Sequence, residues 1–124
     1  MKYTDRTEAD VLNMLVEINN DRIEGYKKAI ELLPVDTPVE IRSVFEDHIN
    51  QSVQFNEQLI PLVFREGEMP EDGTRDTGKL FRVWMDIKSL VTATPIKTVL
   101  SSCESGEKAF SQVYEEALSQ KEIF

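Results

Sequence analysis

The sequence has few of the residues on which most metal and enzyme chemistry depends. His48 is its only histidine and Cys103 its only cysteine, so neither an intrachain disulfide nor a site with several histidines can form. It also lacks a glycine-rich phosphate-binding loop and the Gly-x-Ser-x-Gly turn of hydrolases. Cys103 could act as a nucleophile with His48 as its base, but a cysteine on the inner face of a helix is usually a small core residue. We therefore assign Cys103 to the core and favour a non-enzymatic protein.

Positive charge and long apolar runs are also scarce. Lys and Arg number 14 against 23 Asp and Glu, and the net charge of −9 disfavours binding to phosphate backbones or anionic lipids. The apolar runs are far shorter than the roughly 18 residues that a membrane-spanning helix needs. Residues 1–6 lack the apolar segment of a signal peptide. We therefore expect a cytoplasmic protein whose partners are neither nucleic acid nor membrane.

Apolar residues recur at helical spacing in four segments of the chain. The first runs from about Thr7 to Leu33, and the second runs from Thr37, as the cap before Pro38, to about Glu66. A shorter third helix is marked on one face by Leu80, Val83, Trp84, Ile87 and Val91, and Thr94-Pro95 starts the fourth. At 124 residues the chain fits a single domain, residues 1–124. Because no segment alternates like a strand, we predict an all-α, antiparallel four-helix bundle.

The second helix and the segment after it support more detailed predictions. Pro61 lies within the helical pattern, so we expect a bend in the last turns rather than a break. Residues Gly67 to Gly78 are rich in glycine and charge, and they predict a long exposed loop between helices 2 and 3, a crossover in preference to a functional lid. The predicted inner face of the second helix comprises Ile41, Val44, Phe45, His48, Ser52, Phe55, Leu59 and Leu62.

Three strings of residues are distinctive when they are read together. They are Glu24-Gly25-Tyr26-Lys27-Lys28-Ala29, Phe81-Arg82-Val83-Trp84-Met85-Asp86-Ile87-Lys88, and Cys103-Glu104-Ser105-Gly106-Glu107-Lys108-Ala109 followed by Tyr114-Glu115-Glu116-Ala117-Leu118. Over nearly the whole chain, the sequence resembles an uncharacterised bacterial family of ferritin-like four-helix-bundle proteins, classed as a domain of unknown function. The resemblance implies a ferritin-like fold, a bacterial cytoplasmic setting and a loose link to stress-associated physiology. It brings no established activity.

The ferritin-like superfamily as a whole suggests iron, but the di-iron ligand pattern is missing from this sequence. That pattern needs Glu-x-x-His on two helices and an inward Glu on each of the other two. Here Phe45 stands three residues before His48, and Glu104 is followed after three residues by Glu107 rather than by a histidine. On the first helix, Asn19 holds the position where a carboxylate ligand is expected.

Polar residues nevertheless occupy inner-face positions at a similar height on three of the predicted helices. They are Asn19, Arg22, His48, Ser52 and Glu107. A lone buried carboxylate is costly, so Glu107 must pair with Arg22 or His48, accept hydrogen bonds, or bind a metal. We predict the paired, metal-free arrangement, with a role in fixing the register of the helices. The alternative is a degenerate iron, manganese or zinc site at His48 and Glu107, and a small-ligand pocket in the core is a third reading.

The first helix has a wide apolar arc, because Val11, Val16 and Ile18 flank its main stripe. We expect this arc to support weak self-association. In the absence of a catalytic motif, we predict that the protein acts through its surface, either as a homo-oligomer or by binding another protein.

Glycines and large aromatics inside the predicted helices call for a packing explanation. Gly25 and Gly106 each cost roughly 1 kcal/mol relative to alanine in a helix, so close helix packing should offset them. Trp84 and Tyr26 could stack a planar ligand, but inward aromatics are usually core residues, and we assign both to the core.

Overall fold

The computed structural model describes residues 8–73, 79–91 and 93–119. For residues 79–83 it describes the backbone only. The chain forms four helices, α1 (Glu8–Leu32), α2 (Val39–Arg65), α3 (Lys79–Lys88) and α4 (Ile96–Leu118). The described part of the chain has no strand. The prediction of an all-helical chain with four helices is therefore confirmed. The predicted start at Thr7 and the last part of the predicted loop, residues 74–78, lie outside the described residues.

Helix α1 lies at the centre of the fold. It packs closely against α2, α3 and α4, and α3 also packs against α4. In the described segments, the backbone of α2 comes close to no helix other than α1. Val11, Val16 and Ile18 are at most 1% exposed within a single chain. The expectation that these residues form a free apolar arc for self-association is therefore wrong, because α1 is apolar on several sides in order to contact several neighbours.

Helices α2 and α4 both run opposite to α1. Contacts pair rising residue numbers in α1 with falling numbers in the other two helices: Asn20 with Asn56 and Tyr26 with Phe45 for α2, and Asn19 with Tyr114 and Arg22 with Glu107 for α4. This arrangement brings the middle of α1 beside the middle of both helices.

The starts of α2 and α4 differ from the prediction by one residue. Pro38 and Pro95 have extended ψ angles of 139° and 142°, so each proline is the capping residue and the helix begins after it. Neither makes a side-chain capping bond. The predicted threonine cap at Thr37 is wrong, because its side chain is buried and its hydroxyl has no hydrogen-bond partner.

Helix α2 continues through Pro61 and ends in a defined turn. Gly67 has a φ of +83°, and its N–H donates to the Phe64 carbonyl over 2.9 Å. The Glu68 N–H donates to the Val63 carbonyl over 3.2 Å. These two bonds form a Schellman motif, in which glycine takes the left-handed position without strain. The helix does not break at Pro61, and the bend at that residue stays a prediction.

The segment after α2 is held along α1 by two asparagines. The Asn13 side-chain amide donates to the Met69 carbonyl over 3.1 Å, and its oxygen accepts from the Glu71 N–H over 2.9 Å. The Asn20 amide donates to the Gly73 carbonyl over 2.8 Å. Residues 69–73 thus follow the surface of α1 with two carbonyls and one N–H group bonded to it.

The ring of Trp84 fills the space between two helical glycines. Trp84 and Tyr26 are at most 1% exposed, as the core assignment predicts. A Cβ atom added at Gly106 would lie 2.7 Å from Cη2 of Trp84, and one added at Gly25 would overlap Cε3 of the same indole. Both glycines therefore make room for the tryptophan, which wedges between α1 and α4. The side chains of Leu80 and Val83, predicted on the same face of α3, lie outside the described residues.

Candidate functional site

The candidate site is built around Arg22, a buried cation in the middle of α1. Its side chain is 2% exposed. Its Nε donates to Oε2 of Glu107 on α4 over 2.8 Å, and its Nη2 donates to Oε1 over 2.8 Å. This two-point pairing is the strongest geometry available to an arginine and a carboxylate. The pair ties the middle of α1 to the middle of α4.

Three residues of α2 accept the remaining hydrogen bonds of Arg22. Its Nη1 donates to Oε1 of Gln51 over 2.8 Å and to Oγ of Ser52 over 3.2 Å. Its Nη2 lies 2.9 Å from Nδ1 of His48. Because a guanidinium can only donate, Nδ1 is the acceptor in this contact and the histidine carries its ring proton on Nε2. Arg22 has five N–H donors, and all five are used.

Aromatic rings line the guanidinium where no hydrogen bond is needed. Cζ of Arg22 lies 4.2 Å from the ring centroid of Phe110 and 6.0 Å from that of Tyr26. The ring of Tyr26 is in turn 5.0 Å from the ring of His48. A cation over an aromatic face gains electrostatic attraction from the ring, and this gain grows in a desolvated site. The cation is therefore stabilised on its faces as well as at its edge.

The site reaches solvent at three of its members, of which Gln51 is the most exposed. The side chains of His48 and Glu107 are 31% and 28% exposed, whereas Arg22 is closed off beneath them. We define these residues as the Arg22 cluster, and its members are Arg22, Tyr26, His48, Gln51, Ser52, Glu107 and Phe110.

The structure brings together four of the five residues that the sequence places in a polar layer. Arg22, His48, Ser52 and Glu107 are in contact, whereas the Asn19 amide donates to the Leu15 carbonyl over 3.1 Å and to the Tyr114 hydroxyl over 3.4 Å. Asn19 belongs instead to the next layer toward the start of α1.

Three members of the Arg22 cluster, Gln51, Tyr26 and Phe110, are absent from the sequence-based layer. Gln51 lies at the edge of the inner face of α2 and reaches the arginine with its long side chain. Tyr26 lies one turn after Arg22, on the same face of α1. For Tyr26, the one indication in the sequence is its i, i+4 spacing from Arg22.

Nearby titratable groups are held in their neutral forms. Burial, and then the charge of Glu107, raises the pKa of the Cys103 thiol to about 12. Burial is also the main cause that raises the pKa of Tyr26, with Glu107 adding to it, and burial raises the pKa of Tyr114. A thiol that stays protonated is a poor nucleophile. The geometry therefore gives no support to catalysis by Cys103 with His48.

His48 and Glu107 do not fit a divalent metal. Their Nδ1 and Oε1 atoms are 3.9 Å apart, and both are hydrogen-bonded to the same Nη2 of Arg22. A metal ion would have to share these ligands with a guanidinium cation, which repels it. Within the segments that the structure describes, no three His, Cys, Asp or Glu side chains form a group that could hold a metal.

No described helix is long and apolar enough to cross a membrane. No curated protein and no solved structure matches the chain significantly. One family model matches residues 7–120, nearly the whole chain, and its description is Domain of unknown function (DUF2383). The predicted resemblance to a domain of unknown function is confirmed at that level. The chain belongs to the DUF2383 family.

Proposed function

We propose that this protein is a non-enzymatic helical domain that acts by binding another protein through its surface. The observation that carries the proposal is the complete use of Arg22, whose five donors are all bonded to other side chains of the same chain. A binding or catalytic arginine needs a donor for its ligand, and this one has none left. The most polar part of the interior is therefore assigned to the fold, and the activity to the surface.

The Arg22 cluster supports a structural role of a particular kind. It joins α1, α2 and α4 through hydrogen bonds that one alignment of the helices satisfies together. Buried ionic groups contribute less to stability than apolar packing does, but they disfavour alignments that leave a charge unpaired. We assign the cluster the role of fixing helix register within a ferritin-like, antiparallel bundle that spans residues 1–124.

Binding to a different protein is favoured over self-association. A net charge of −9 makes two copies repel each other at moderate ionic strength. The apolar residues of α1 that suggested self-association are buried within the chain. The bacterial cytoplasmic setting and the link to stress physiology, both implied by the resemblance, belong to this proposal.

The test measures the metal content of the purified protein and identifies the proteins that it contacts in cells. Protein purified without chelators should contain far less than stoichiometric iron, manganese or zinc. A photoreactive residue placed in turn at exposed positions of α2 and α4 should crosslink another protein in cells that express the chain naturally. Stoichiometric metal that is lost in Glu107→Gln would establish the metal-binding alternative, and the absence of crosslinks from every position would refute protein binding.

A further inference from the structure

We infer that one flank of α2, together with Met69, is a docking surface for a basic amphipathic helix of another protein. This inference rests on the proposed protein-binding function and adds the surface and the chemistry of the partner. We call this surface the α2 flank. It comprises Ile49, Val53, Ile60, Phe64 and Met69.

The four helical residues of the α2 flank form an apolar ridge beside the buried stripe of α2, with two turns of helix between Val53 and Ile60. At about 100° per residue, Val53, Ile60 and Phe64 fall about 80–120° from Ser52, which is fully buried. Val53 and Phe64 are 38% and 55% exposed. Ile49 and Ile60 are partly buried and connect the exposed residues to the core. Exposed apolar residues that align along one helix are typical of an interaction site.

The crossover segment extends the same surface. Asn20 accepts a hydrogen bond from Asn56 of α2 over 3.0 Å and donates to the Gly73 carbonyl over 2.8 Å, so the segment lies on the side of α2 that carries Asn56. On the helical wheel Asn56 is between Ser52 and the ridge. Met69 is 73% exposed although Asn13 holds its carbonyl. A large apolar side chain is thus presented to solvent from a fixed backbone.

No helix of the described chain covers this flank. The backbone of α2 comes close to α1 alone, and side-chain contact with α4 occurs on the opposite flank, where Phe55 meets Tyr114 at a centroid distance of 5.9 Å. Among the segments that the structure describes, no helix therefore lies beside Val53 and Phe64.

The charges around the α2 flank identify the occupant as basic. Its border carries exposed carboxylates on α2 and on the crossover segment, namely Glu46, Glu57, Glu66, Glu68, Glu71 and Asp72. Arg42, on the same side of α2, donates to the Leu33 and Pro34 carbonyls. A second copy of this chain would bring a charge of −9 to this acidic border. A helix with an apolar stripe and flanking Lys and Arg side chains is complementary in both respects.

A synthetic peptide pair tests the inference on the full chain. One peptide has leucines at i, i+4, i+7 and i+11 with lysines on both sides, and the other has glutamates in place of the lysines. We expect the basic peptide alone to bind in a fluorescence polarisation assay. Phe64→Ser should weaken this binding about tenfold or more. The matched control is Val44→Ser, which removes an apolar residue of 49% exposure from the opposite flank and should leave binding unchanged.

Charge reversal separates the acidic border from general attraction. Glu68→Lys with Glu71→Lys should weaken binding of the basic peptide, whereas Glu115→Lys with Glu116→Lys on α4 should change it much less at the same net charge. Circular dichroism checks that each variant is folded. Equal loss in Phe64→Ser and Val44→Ser, or equal loss in the two charge-reversal pairs, would overturn the inference.

Crosslinking in cells distinguishes failure of the inference from failure of the proposed function. A photoreactive residue at Phe64 should capture a different protein through a segment with basic and apolar residues. Capture of a second copy of the chain, or of a partner only from positions on other faces, would overturn the α2 flank as the docking surface for a basic helix. A partner captured from another face would still support protein binding, whereas no partner from any face would refute both.

Discussion

Replacing Gly25 by alanine should destabilise the protein, although alanine is the better helix former. Helix propensity alone predicts a gain of about 1 kcal/mol. The added Cβ atom would lie 2.6 Å from Cδ2 and Cζ3 of Trp84, whereas carbon atoms in contact prefer about 3.5–4.0 Å. Gly106 of α4 limits any retreat of the ring, because a Cβ atom added there would lie 2.7 Å from Cη2. Overpacking of this kind costs about 1–3 kcal/mol and more where nothing can shift. The upper end of this cost less the propensity gain gives an expected net loss of about 2 kcal/mol.

Urea unfolding measures this loss directly. Trp84 is the only tryptophan, so its fluorescence reports on the packed ring itself, and circular dichroism follows the helices. The exposed Ser105→Ala on α4 is the control for helix propensity without a neighbour to displace. In a Trp84→Phe background the smaller ring should relieve the overlap, so Gly25→Ala should cost less or become favourable. A stabilising Gly25→Ala in the natural background would refute the wedge of Trp84 between the glycines.

Three further predictions follow from the structure. Glu107→Leu strands the Arg22 guanidinium and should cost about 3–5 kcal/mol in urea unfolding, clearly more than Glu107→Gln, which keeps one acceptor; equal losses would contradict the pairing. The Cys103 thiol, with a pKa of about 12, should resist alkylation at pH 8 unless the protein unfolds. Above about pH 9 only the unfolded thiol ionises, so stability should fall by up to about 1.4 kcal/mol per pH unit toward pH 12, and Cys103→Ala should remove that part of the slope. Gly67→Ala should cost about 1 kcal/mol because φ is +83°, whereas Gly73→Ala, with open space around it and no positive φ, should cost nothing.

Helical periodicity predicts where the helices lie in this chain better than which residues they bury. The predicted end of the first helix, Leu33, is one residue beyond the end of α1 at Leu32, while its predicted start at Thr7 lies outside the described residues. On α2, however, Val44 is 49% exposed although the sequence predicts it on the inner face. Val63 is fully buried, whereas the sequence predicts Leu62 on that face. The buried stripe is narrow because α2 has one close helical neighbour. A sequence pattern does not show how many helices will pack against a given helix.

Helical spacing alone predicts only part of the Arg22 cluster. Inward angles and similar heights suffice to bring Arg22 beside Glu107 and His48. They do not show that the long side chain of Gln51 reaches inward from the rim of α2, or that Asn19 turns to Tyr114 instead. These outcomes depend on side-chain length and on which acceptors remain unpaired, and both are settled only in three dimensions. The width of the apolar arc on α1 was a correct observation, but it indicated a central helix rather than a contact between copies.

The Arg22 cluster explains why one alignment of the helices is preferred over its neighbours. A slip of α4 by one turn moves Glu107 by about 5.4 Å and brings Cys103 or Ser111 toward the guanidinium. Neither of these side chains carries a charge at neutral pH, since the pKa of Cys103 is about 12. The slipped state would bury an unpaired cation at a cost of several kcal/mol, and it would also move Gly106 away from the ring of Trp84. The fold itself therefore explains the polar residues on the buried side of α1. The fold does not explain the exposed side chains of Phe64 and Met69, because their removal from solvent requires a second molecule. This contrast is why we place the function on the α2 flank.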